Sequence, residues 1–320
     1  MNLNETNLTR RQALICSTGM AVAAAIRPLW ADSSGDGKSA ITLGYSTYPL
    51  PNHSPKDAIE LIANTGFDSL ELTVTPDREV SPGNLNAAAR KALRSHISDR
   101  GLKLTSLMEH IPVGSDDKEH QSQLDRLRAA AELGHALSPE HPPVIQTVLG
   151  GKDWEAVRPL FLKRLADWKK VAEESQTVIA IKPHRGNAMS RPEQAVELLK
   201  ELGESPWFRL CYDYSHFAFR DMPLPETIEV AAPWTAHIAV KDAAKDGDRV
   251  NFALPGEAGT IDYAALIKQF HALGYRGDVC IEVSSQVWRA ADYDADHAIQ
   301  ISYRNMARAF EQAGISRAGG

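Results

Sequence analysis

Lys182 and His184 are the residues whose types and spacing first indicate chemistry. They follow residues 178–181, a short apolar run with the pattern of a buried parallel strand. Because side chains alternate along an extended backbone, residues two apart point to the same side. An ammonium and an imidazole that face one way at the end of a buried strand indicate a functional site. If the strand ends earlier, both side chains are instead solvated at the surface.

Polar residues also follow other predicted strands. Asp213 and Glu282 each come two residues after a cysteine, so each shares the face of that cysteine. Any one of these residues, taken alone, could be an ordinary polar loop residue. Together they indicate a site, because burying so many ionisable groups is costly unless they pair, bind a metal or take part in chemistry. The set is Glu109, His110, Gln146, Lys182, His184, Asp213, His216, Lys241, Asp242 and Glu282.

From residue 41 onward, predicted strands and helices alternate without a break. This rhythm predicts an α/β fold, a single (β/α)8 TIM barrel over residues 41–320, with the chemistry at the carboxyl ends of the strands. An open doubly wound sheet is the alternative, but no glycine-rich phosphate turn follows the first strand. The predicted strands are residues 41–45, 69–74, 103–110, 144–148, 178–182, 208–213, 236–241 and 278–282. The predicted helices are residues 54–63, 84–100, 118–137, 155–174, 192–202, 225–232, 262–273 and 295–313.

Composition narrows the class of partner. The chain has 320 residues, 43% hydrophobic and 24% charged, with a formal net charge of -6. These values are typical of a globular protein with a large core and give no electrostatic reason to expect nucleic acid. No apolar run of the mature region is long enough to cross a bilayer, so we expect no membrane association after signal removal. Cys211 and Cys280 are interpreted as buried apolar residues and not as a disulfide.

Residues 1–40 are predicted to be an export signal and linker. Arg10 and Arg11 precede a mildly apolar, alanine-rich segment that extends to about Ile26, and a Ser/Gly/Asp linker follows. The stretch resembles a twin-arginine export signal, although Ala13 stands where a bulky apolar residue is more usual. A short N-terminal helix or tail is the alternative. We expect the mature protein to be periplasmic, exported by the twin-arginine route.

An ordered set of short motifs resembles the xylose isomerase-like TIM barrels, the sugar phosphate isomerase/epimerase superfamily. Each motif is weak alone, but the ordered set is fairly specific and covers essentially the whole mature chain. The resemblance implies a small-molecule carbohydrate substrate, and sequences of this kind often form homodimers. The motifs are YDYSH at 212–216, VKD at 240–242, PGEAG at 255–259, ID at 261–262 and CIE at 280–282.

The resemblance also implies one divalent ion, held by a Glu after the fifth strand, an Asp after the sixth, a His in the seventh and a Glu after the eighth. Asp213 and Glu282 match this pattern. Lys182 stands where the first Glu is expected, and Ala239 where the His is expected. His237 comes two residues earlier, which places it about one layer deeper at a rise of ~3.3 Å per residue.

Two arrangements remain open. In the first, which we prefer, the ammonium of Lys182 replaces the ion, pairs with Asp213 and Glu282, and no metal is needed. In the second, a divalent metal (Mn, Mg, Zn or Co) is kept by a changed set of ligands. The candidate metal ligands are Asp213, Glu282 and His184, with His216 or Glu109 as further ligands.

The step shared by this family removes a proton from carbon next to a carbonyl, which requires a base at the carbon and a positive group at the oxygen. Glu282 is the candidate base, and Lys182 or the metal is the candidate electrophile. His184 and His216, with an ordinary pKa of about 6.5, could carry the second proton. The candidate substrate-binding residues are Glu109, Gln146, Lys241, Asp242 and Trp288.

The expected function is an exported sugar isomerase or epimerase that acts through an enediol or enolate. A lyase that cleaves keto-glycosides by β-elimination is one alternative, since the same site could remove the proton and protonate the departing oxygen. A non-catalytic sugar-binding barrel is another, since half of the implied metal ligands are absent.

Overall fold

The structure, a computed structural model, describes residues 41–318. The predicted export signal and linker lie outside these residues. Within the described part of the chain, no helix is both long enough and apolar enough to cross a membrane.

Eight parallel strands close into a barrel, with β1 paired to both β2 and the last strand, β10. The prediction of a single (β/α)8 barrel is confirmed, and the open-sheet alternative is wrong because the sheet closes on itself. The strands are β1 Thr42–Ser46, β2 Ser69–Thr73, β3 Lys103–Met108, β4 Val144–Thr147, β5 Ile179–Ile181, β6 Phe208–Tyr212, β7 Thr235–Val240, β8 Asp242–Asp246, β9 Arg249–Ala253 and β10 Asp278–Ile281. The α-helices are α1 Pro55–Thr65, α2 Ala87–Asp99, α3 Asp117–Leu137, α4 Trp154–Ser175, α5 Pro192–Glu201, α6 Leu224–Ala231, α7 Tyr263–Ala272, α8 Ser285–Trp288 and α9 Ala295–Ala313.

The ends of the helices are set by residues that can be read from the sequence. Ser54 accepts a hydrogen bond from a backbone amide in the first turn of α1, and Pro55 occupies the first position of that helix. Gly66 ends α1 with φ of 103°, a left-handed conformation that favours glycine. Helix α2 begins at Ala87, later than predicted, because the Asn86 side chain caps it.

Asp278 links neighbouring strands at the amino-terminal end of the barrel by hydrogen bonds. Its carboxylate accepts hydrogen bonds from Thr42 at 2.5 Å, Ser69 at 2.6 Å and Thr105 at 2.9 Å, which connects β10 to β1, β2 and β3. Gly44 lies against this cluster, where a Cβ atom would be 2.7 Å from the Ser69 hydroxyl and 2.8 Å from the Asp278 carboxylate. A side chain at this position would therefore push the cluster apart.

A hairpin of β8 and β9 interrupts the alternation of strand and helix between β7 and α7. Sequence patterns did not predict it, because β8 shows no alternation of polar and apolar residues and the alternation in β9 covers only residues 249–252. Asp242 holds the base of the hairpin, since its carboxylate accepts hydrogen bonds from the Gly259 amide at 3.0 Å and the Thr260 hydroxyl at 2.7 Å.

Replacing Asp278 by Ala is expected to lower the free energy of unfolding by about 3 kcal/mol, because three hydroxyl groups lose their acceptor. Urea unfolding followed by circular dichroism measures the change. Asp248→Ala, in the exposed turn of the hairpin, is the control and is expected to stay within about 0.5 kcal/mol of the wild type. Equal losses in the two variants would contradict the role assigned to Asp278.

Candidate active site

Two ammonium groups and two carboxylates, here called the charge ring, meet at the carboxyl end of the barrel. Lys182 Nζ lies 2.5 Å from Glu282 Oε2, and Lys241 Nζ lies 3.0 Å from Glu282 Oε1. Lys241 Nζ also donates a hydrogen bond to Asp213 Oδ2. All four side chains are at most 7% exposed, so the ring is almost removed from water.

The strands place the charge ring directly. Each of its members is the first residue after a barrel strand, where the alternation of side chains still applies. The amide of Glu282 donates to the carbonyl of Val240 at 3.0 Å, which extends the ladder between the last two barrel strands by one residue. The members are Lys182 after β5, Asp213 after β6, Lys241 after β7 and Glu282 after β10.

The four groups hold one another in the charged form. Burial alone would raise the pKa of the Glu282 carboxyl, but the ammoniums of Lys182 and Lys241 outweigh it and hold that pKa well below its usual range. The pKa of Asp213 is lowered against burial in the same way, first by Lys241. The pKa values of both lysines are raised, because their carboxylate partners outweigh the loss of hydration. At neutral pH the ring carries two positive and two negative charges.

His184 and His216 form a tilted ring pair beside the charge ring, with centroids 4.0 Å apart. Burial lowers the pKa of His184 to about 2, and the neighbouring His216 and Lys182 act in the same direction. Burial lowers the pKa of His216 to about 4, although Asp213 opposes this change. Both imidazoles are therefore neutral at physiological pH. From the ordinary pKa, these two histidines are predicted to carry a proton. In the folded protein, any such proton transfer begins with a neutral imidazole.

Phe252 of β9 covers the same side of the site. Its ring centroid is 5.2 Å from that of His216 and 5.4 Å from Lys241 Nζ. Sequence reasoning missed Phe252 because it missed the hairpin that carries it. The aromatic residue places an apolar surface over one ammonium and one imidazole.

Glu109 and His110 follow β3 and have different neighbours. Glu109 accepts a hydrogen bond from Arg126 of α3 at 2.7 Å, so its carboxyl lies between the strand and the outer helix. Burial raises the pKa of Glu109 to about 7, although Arg126 opposes it. Burial and then Lys182 lower the pKa of His110 to about 4. His110 is therefore within the electrostatic influence of the charge ring, whereas the carboxyl of Glu109, predicted to bind substrate, is paired with Arg126.

A second set of polar side chains, here called the inner polar layer, lies below the charge ring and consists of Glu71, Gln146, His237 and Cys280. Gln146 Nε2 donates to Glu71 Oε2 at 3.2 Å, and His237 Nε2 lies 3.5 Å from the same oxygen. Cys280 comes two residues before Glu282 of the ring, which sets the layer one step deeper. Gln146, which was predicted to bind substrate, therefore belongs to the inner polar layer. His237 lies deep in the barrel, as its sequence position predicts.

Asp242 and Trp288 complete the predicted set. Asp242 has structural partners for both carboxylate oxygens, described above for the hairpin. Trp288, in α8, is half-buried and stands edge-on to Tyr48 with ring centroids 5.4 Å apart. Tyr48 in turn lies 5.7 Å from the ring of His110, so aromatic side chains continue from the ring of charges along one side of the barrel mouth.

The charge ring does not fit the divalent ion that the family resemblance implies. Asp213 and Glu282 already have ammonium partners, so an ion between them would meet two like charges. Among residues 41–318, the group of three donors whose atoms all lie within 4.8 Å of one another is Glu71, His237 and Cys280. A possible metal site is therefore found in the inner polar layer, and the identity of a metal there is not determined.

His216 gives stability a pH dependence of definite sign. Its pKa is about 4 in the folded protein and about 6.5 in an unfolded chain. Between these values the unfolded chain binds a proton that the folded protein does not, so stability falls as the pH falls. Replacing His216 by Gln is expected to reduce the loss of unfolding free energy between pH 7 and pH 5 by about 2 kcal/mol.

Urea unfolding at both pH values measures this difference. His297→Gln, which removes an exposed histidine of α9, is the control for the loss of one imidazole. A His216→Gln variant that loses as much stability on acidification as the wild type would show that burial does not suppress protonation of this ring.

Comparison with known proteins gives one family and several related structures. The model of the family described as xylose isomerase-like TIM barrel matches residues 59–312. A curated protein, the putative L-ribulose-5-phosphate 3-epimerase SgbU of Escherichia coli (strain K12), is 25% identical over 249 residues, which are 71% of this chain and 82% of that protein.

Two solved structures share the fold. The apo form of 3-keto-D-glucoside 4-epimerase, YcjR, from E. coli is 16% identical, with 85% of this chain and 99% of that chain covered and a TM-score of 0.66. The IOLI protein with a bound zinc atom is also 16% identical, with 85% of this chain and 99% of that chain covered and a TM-score of 0.70. At these identities the structural likeness supports the fold alone.

Proposed function

Because the chain belongs to the xylose isomerase-like TIM barrel family, we propose that it removes a proton from the carbon next to a carbonyl group of a sugar or keto-sugar. It is an enzyme of the sugar epimerase or isomerase kind, as its curated relative and structural neighbours support. These relatives give no support to the alternatives of a lyase or a non-catalytic binding barrel.

The contact between Glu282 and Lys182 carries the proposal. Enolate formation needs a base at the carbon next to the carbonyl group and a cation at the carbonyl oxygen. The base and the cation must therefore be neighbours. Glu282 has an ammonium against each of its carboxylate oxygens, at 2.5 Å for Lys182 and 3.0 Å for Lys241. A carbonyl group that enters this site meets base and electrophile side by side.

The step balances without a further reactant. Glu282 takes the proton, the C–H electron pair forms a carbon–carbon double bond, and the carbonyl electrons move to the oxygen, where an ammonium stabilises the negative charge. A proton from water that reaches the other face of the same carbon gives the epimer, and Glu282 then releases its proton to water. Transfer of the proton from Glu282 to the former carbonyl carbon, with the adjacent hydroxyl proton passing to the enolate oxygen, gives the isomer.

Substrate binding has to activate Glu282, because two ammoniums make it a weak base in the resting site. A carbonyl oxygen that accepts a hydrogen bond from another N–H group of Lys182 draws this ammonium away from Glu282. As the contact between Lys182 and Glu282 loosens, the proton affinity of the carboxylate rises. The base therefore gains strength when the substrate is in place.

The neighbouring side chains suit the rest of a sugar. His184 and His216 each have an Nδ1 atom that makes no hydrogen bond with residues 41–318, so neutral imidazoles are free to bond hydroxyl groups. Tyr48 and Trp288 offer aromatic faces of the kind on which sugar rings pack. The two histidines lie beside the charge ring, with His216 Nε2 3.4 Å from Asp213 Oδ2, and the aromatic pair contacts His110 through Tyr48. Together these groups suit a polar ring with one carbonyl.

The proposal predicts exchange of a carbon-bound hydrogen with solvent. Ketoses and 3-keto-glycosides are incubated with the purified protein in D₂O, and NMR follows deuterium at the carbon next to the carbonyl together with the configuration there. Glu282→Gln is expected to slow exchange by about 10³-fold or more, because the base is lost.

Asp248→Ala, which changes a residue in the exposed turn of the hairpin, is the matched control. This variant is expected to exchange hydrogen at the wild-type rate. Release of the aglycone in step with deuterium uptake would favour the lyase over the epimerase. Exchange that persists in Glu282→Gln would remove Glu282 from the role of base.

The export of the protein is a separate part of the proposal, based on the Arg10–Arg11 pair and the alanine-rich segment after it. Expression of the full chain in a bacterial host is expected to give mature protein in the periplasmic fraction. Replacing both arginines by lysine is expected to keep the protein in the cytoplasm at full length. Equal distribution of the two proteins between the fractions would rule out the twin-arginine route.

A further inference from the structure

We propose that the ammonium groups of Lys182 and Lys241 together take the place of a divalent ion, so that this site works without a metal and binds the two adjacent oxygens of an α-hydroxy carbonyl group. The part that concerns metal follows from the geometry of the charge ring alone. The part that concerns the substrate rests on the proposed function.

The carboxylates of the charge ring already have partners. Glu282 contacts one lysine with Oε2 and the other with Oε1, and Asp213 accepts from Lys241 through Oδ2. Asp213 Oδ1 accepts hydrogen bonds from the Ser215 amide at 3.1 Å and the Ser215 hydroxyl at 2.5 Å. All four carboxylate oxygens therefore have partners, and a metal ion would have to displace them.

The charges of the ring are balanced without a metal ion. Two ammoniums and two carboxylates sum to zero, so the attraction of a cation to Asp213 and Glu282 is cancelled by its repulsion from Lys182 and Lys241. Little then remains to offset the loss of the ion's hydration shell. In a site with a Glu in place of Lys182, the same position would carry three negative charges and one positive charge.

The hairpin also provides surroundings that suit an ammonium group. Phe252 places its ring 5.4 Å from Lys241 Nζ, at a distance where an aromatic face stabilises an ammonium. A hard divalent ion at this place would instead require oxygen ligands or water on that side. The surroundings of Lys241 Nζ therefore suit an ammonium group and not a divalent metal ion.

The remaining N–H groups of the two lysines define the substrate. Within the described residues, Lys182 Nζ donates to Glu282, and Lys241 Nζ donates to Asp213 and Glu282. Each ammonium has three N–H groups, so at least one on each lysine remains for a substrate oxygen. Two cations that share Glu282 can hold two neighbouring oxygens, which become the two oxygens of an enediolate.

The test restores the ligands and measures metal binding without substrate. Lys182→Glu/Ala239→His adds the carboxylate and imidazole that the family resemblance implies. This variant and the wild type are titrated with MnCl₂ by isothermal titration calorimetry, and their metal content after dialysis is measured by elemental mass spectrometry. We expect the variant to bind Mn²⁺ at least about 100-fold more tightly, since even an outer partner of a metal ligand is worth 10–100-fold.

Two controls assign any metal in the wild type. Cys280→Ala removes a donor of the inner polar layer, and Asp213→Asn removes a carboxylate of the charge ring. Metal that is lost in Cys280→Ala and kept in Asp213→Asn belongs to the inner polar layer and supports the proposal. Metal in stoichiometric amount that is lost in Asp213→Asn and kept in Cys280→Ala would overturn it.

The single variant Lys182→Glu replaces the double variant if the double variant does not fold. If Lys182→Glu/Ala239→His is insoluble, Lys182→Glu alone is titrated, and the same gain in Mn²⁺ affinity over the wild type is expected. Equal affinity in a folded Lys182→Glu variant and the wild type would contradict the idea that the ammonium excludes the ion.

Turnover tests the substrate part separately. With any ketose that the wild type exchanges in D₂O, EDTA is expected to leave the rate unchanged, and Lys241→Met is expected to lower kcat by about 10²-fold or more. The variant Lys241→Met/Asp213→Asn removes both partners of one contact and keeps the ring neutral, so it separates loss of catalysis from loss of folding. Wild-type kcat in a folded Lys241→Met variant would exclude Lys241 as an electrophile. If no substrate showed exchange, the proposed function would be rejected. The metal titrations would still test whether the charge ring excludes a divalent ion.

Discussion

Four charged side chains buried in the mouth of a closed barrel set the constraint on which the rest of the site depends. Taking an ammonium or a carboxylate out of water is costly unless an opposite charge and hydrogen bonds replace the solvent. Glu282 satisfies this condition with one lysine at each oxygen, and Asp213 with Lys241 and Ser215. Removing any one member leaves the ring with a net charge, so the stability of the site and its chemistry depend on the same contacts.

Polar side chains continue from this ring down the barrel axis. Glu71 and His237 form a buried pair at 3.5 Å in the inner polar layer, and Asp278 bonds three hydroxyl groups at the amino-terminal end. A barrel filled this way needs each polar group to find a partner, because the interior offers few alternatives. The partners fix the strands in register, and the register in turn sets the level at which each strand-end residue enters the site.

Sequence patterns were sufficient for the barrel and for the contact of Lys182 with Glu282, because both residues directly follow buried strands and alternation fixes their direction. They did not predict that Lys241, and not Lys182, is the lysine that contacts Asp213. They were not sufficient for Glu109 and His110, since the pairing of β3 with β2 shifts by one residue between Leu70 and Glu71, and this tertiary irregularity changes which side chains of β3 face the barrel interior. Phe252 was missed because β8 has no strand periodicity and that of β9 extends over only four residues. The lowered pKa values of the histidines depend on burial and on lysines distant in sequence, which no local pattern reveals.

The low pKa of Glu282 and its proposed work as a base are two consequences of one arrangement. An ammonium at each oxygen stabilises the carboxylate in the folded protein and at the same time reduces its affinity for a proton. The same ammoniums are the groups that a carbonyl oxygen seeks, so the substrate weakens the contacts that restrain the base. A metal ion with several fixed protein ligands would stay bound to its carboxylates through this exchange. Lysine side chains on flexible stems can shift between carboxylate and substrate, which couples binding of the oxygen to activation of the base.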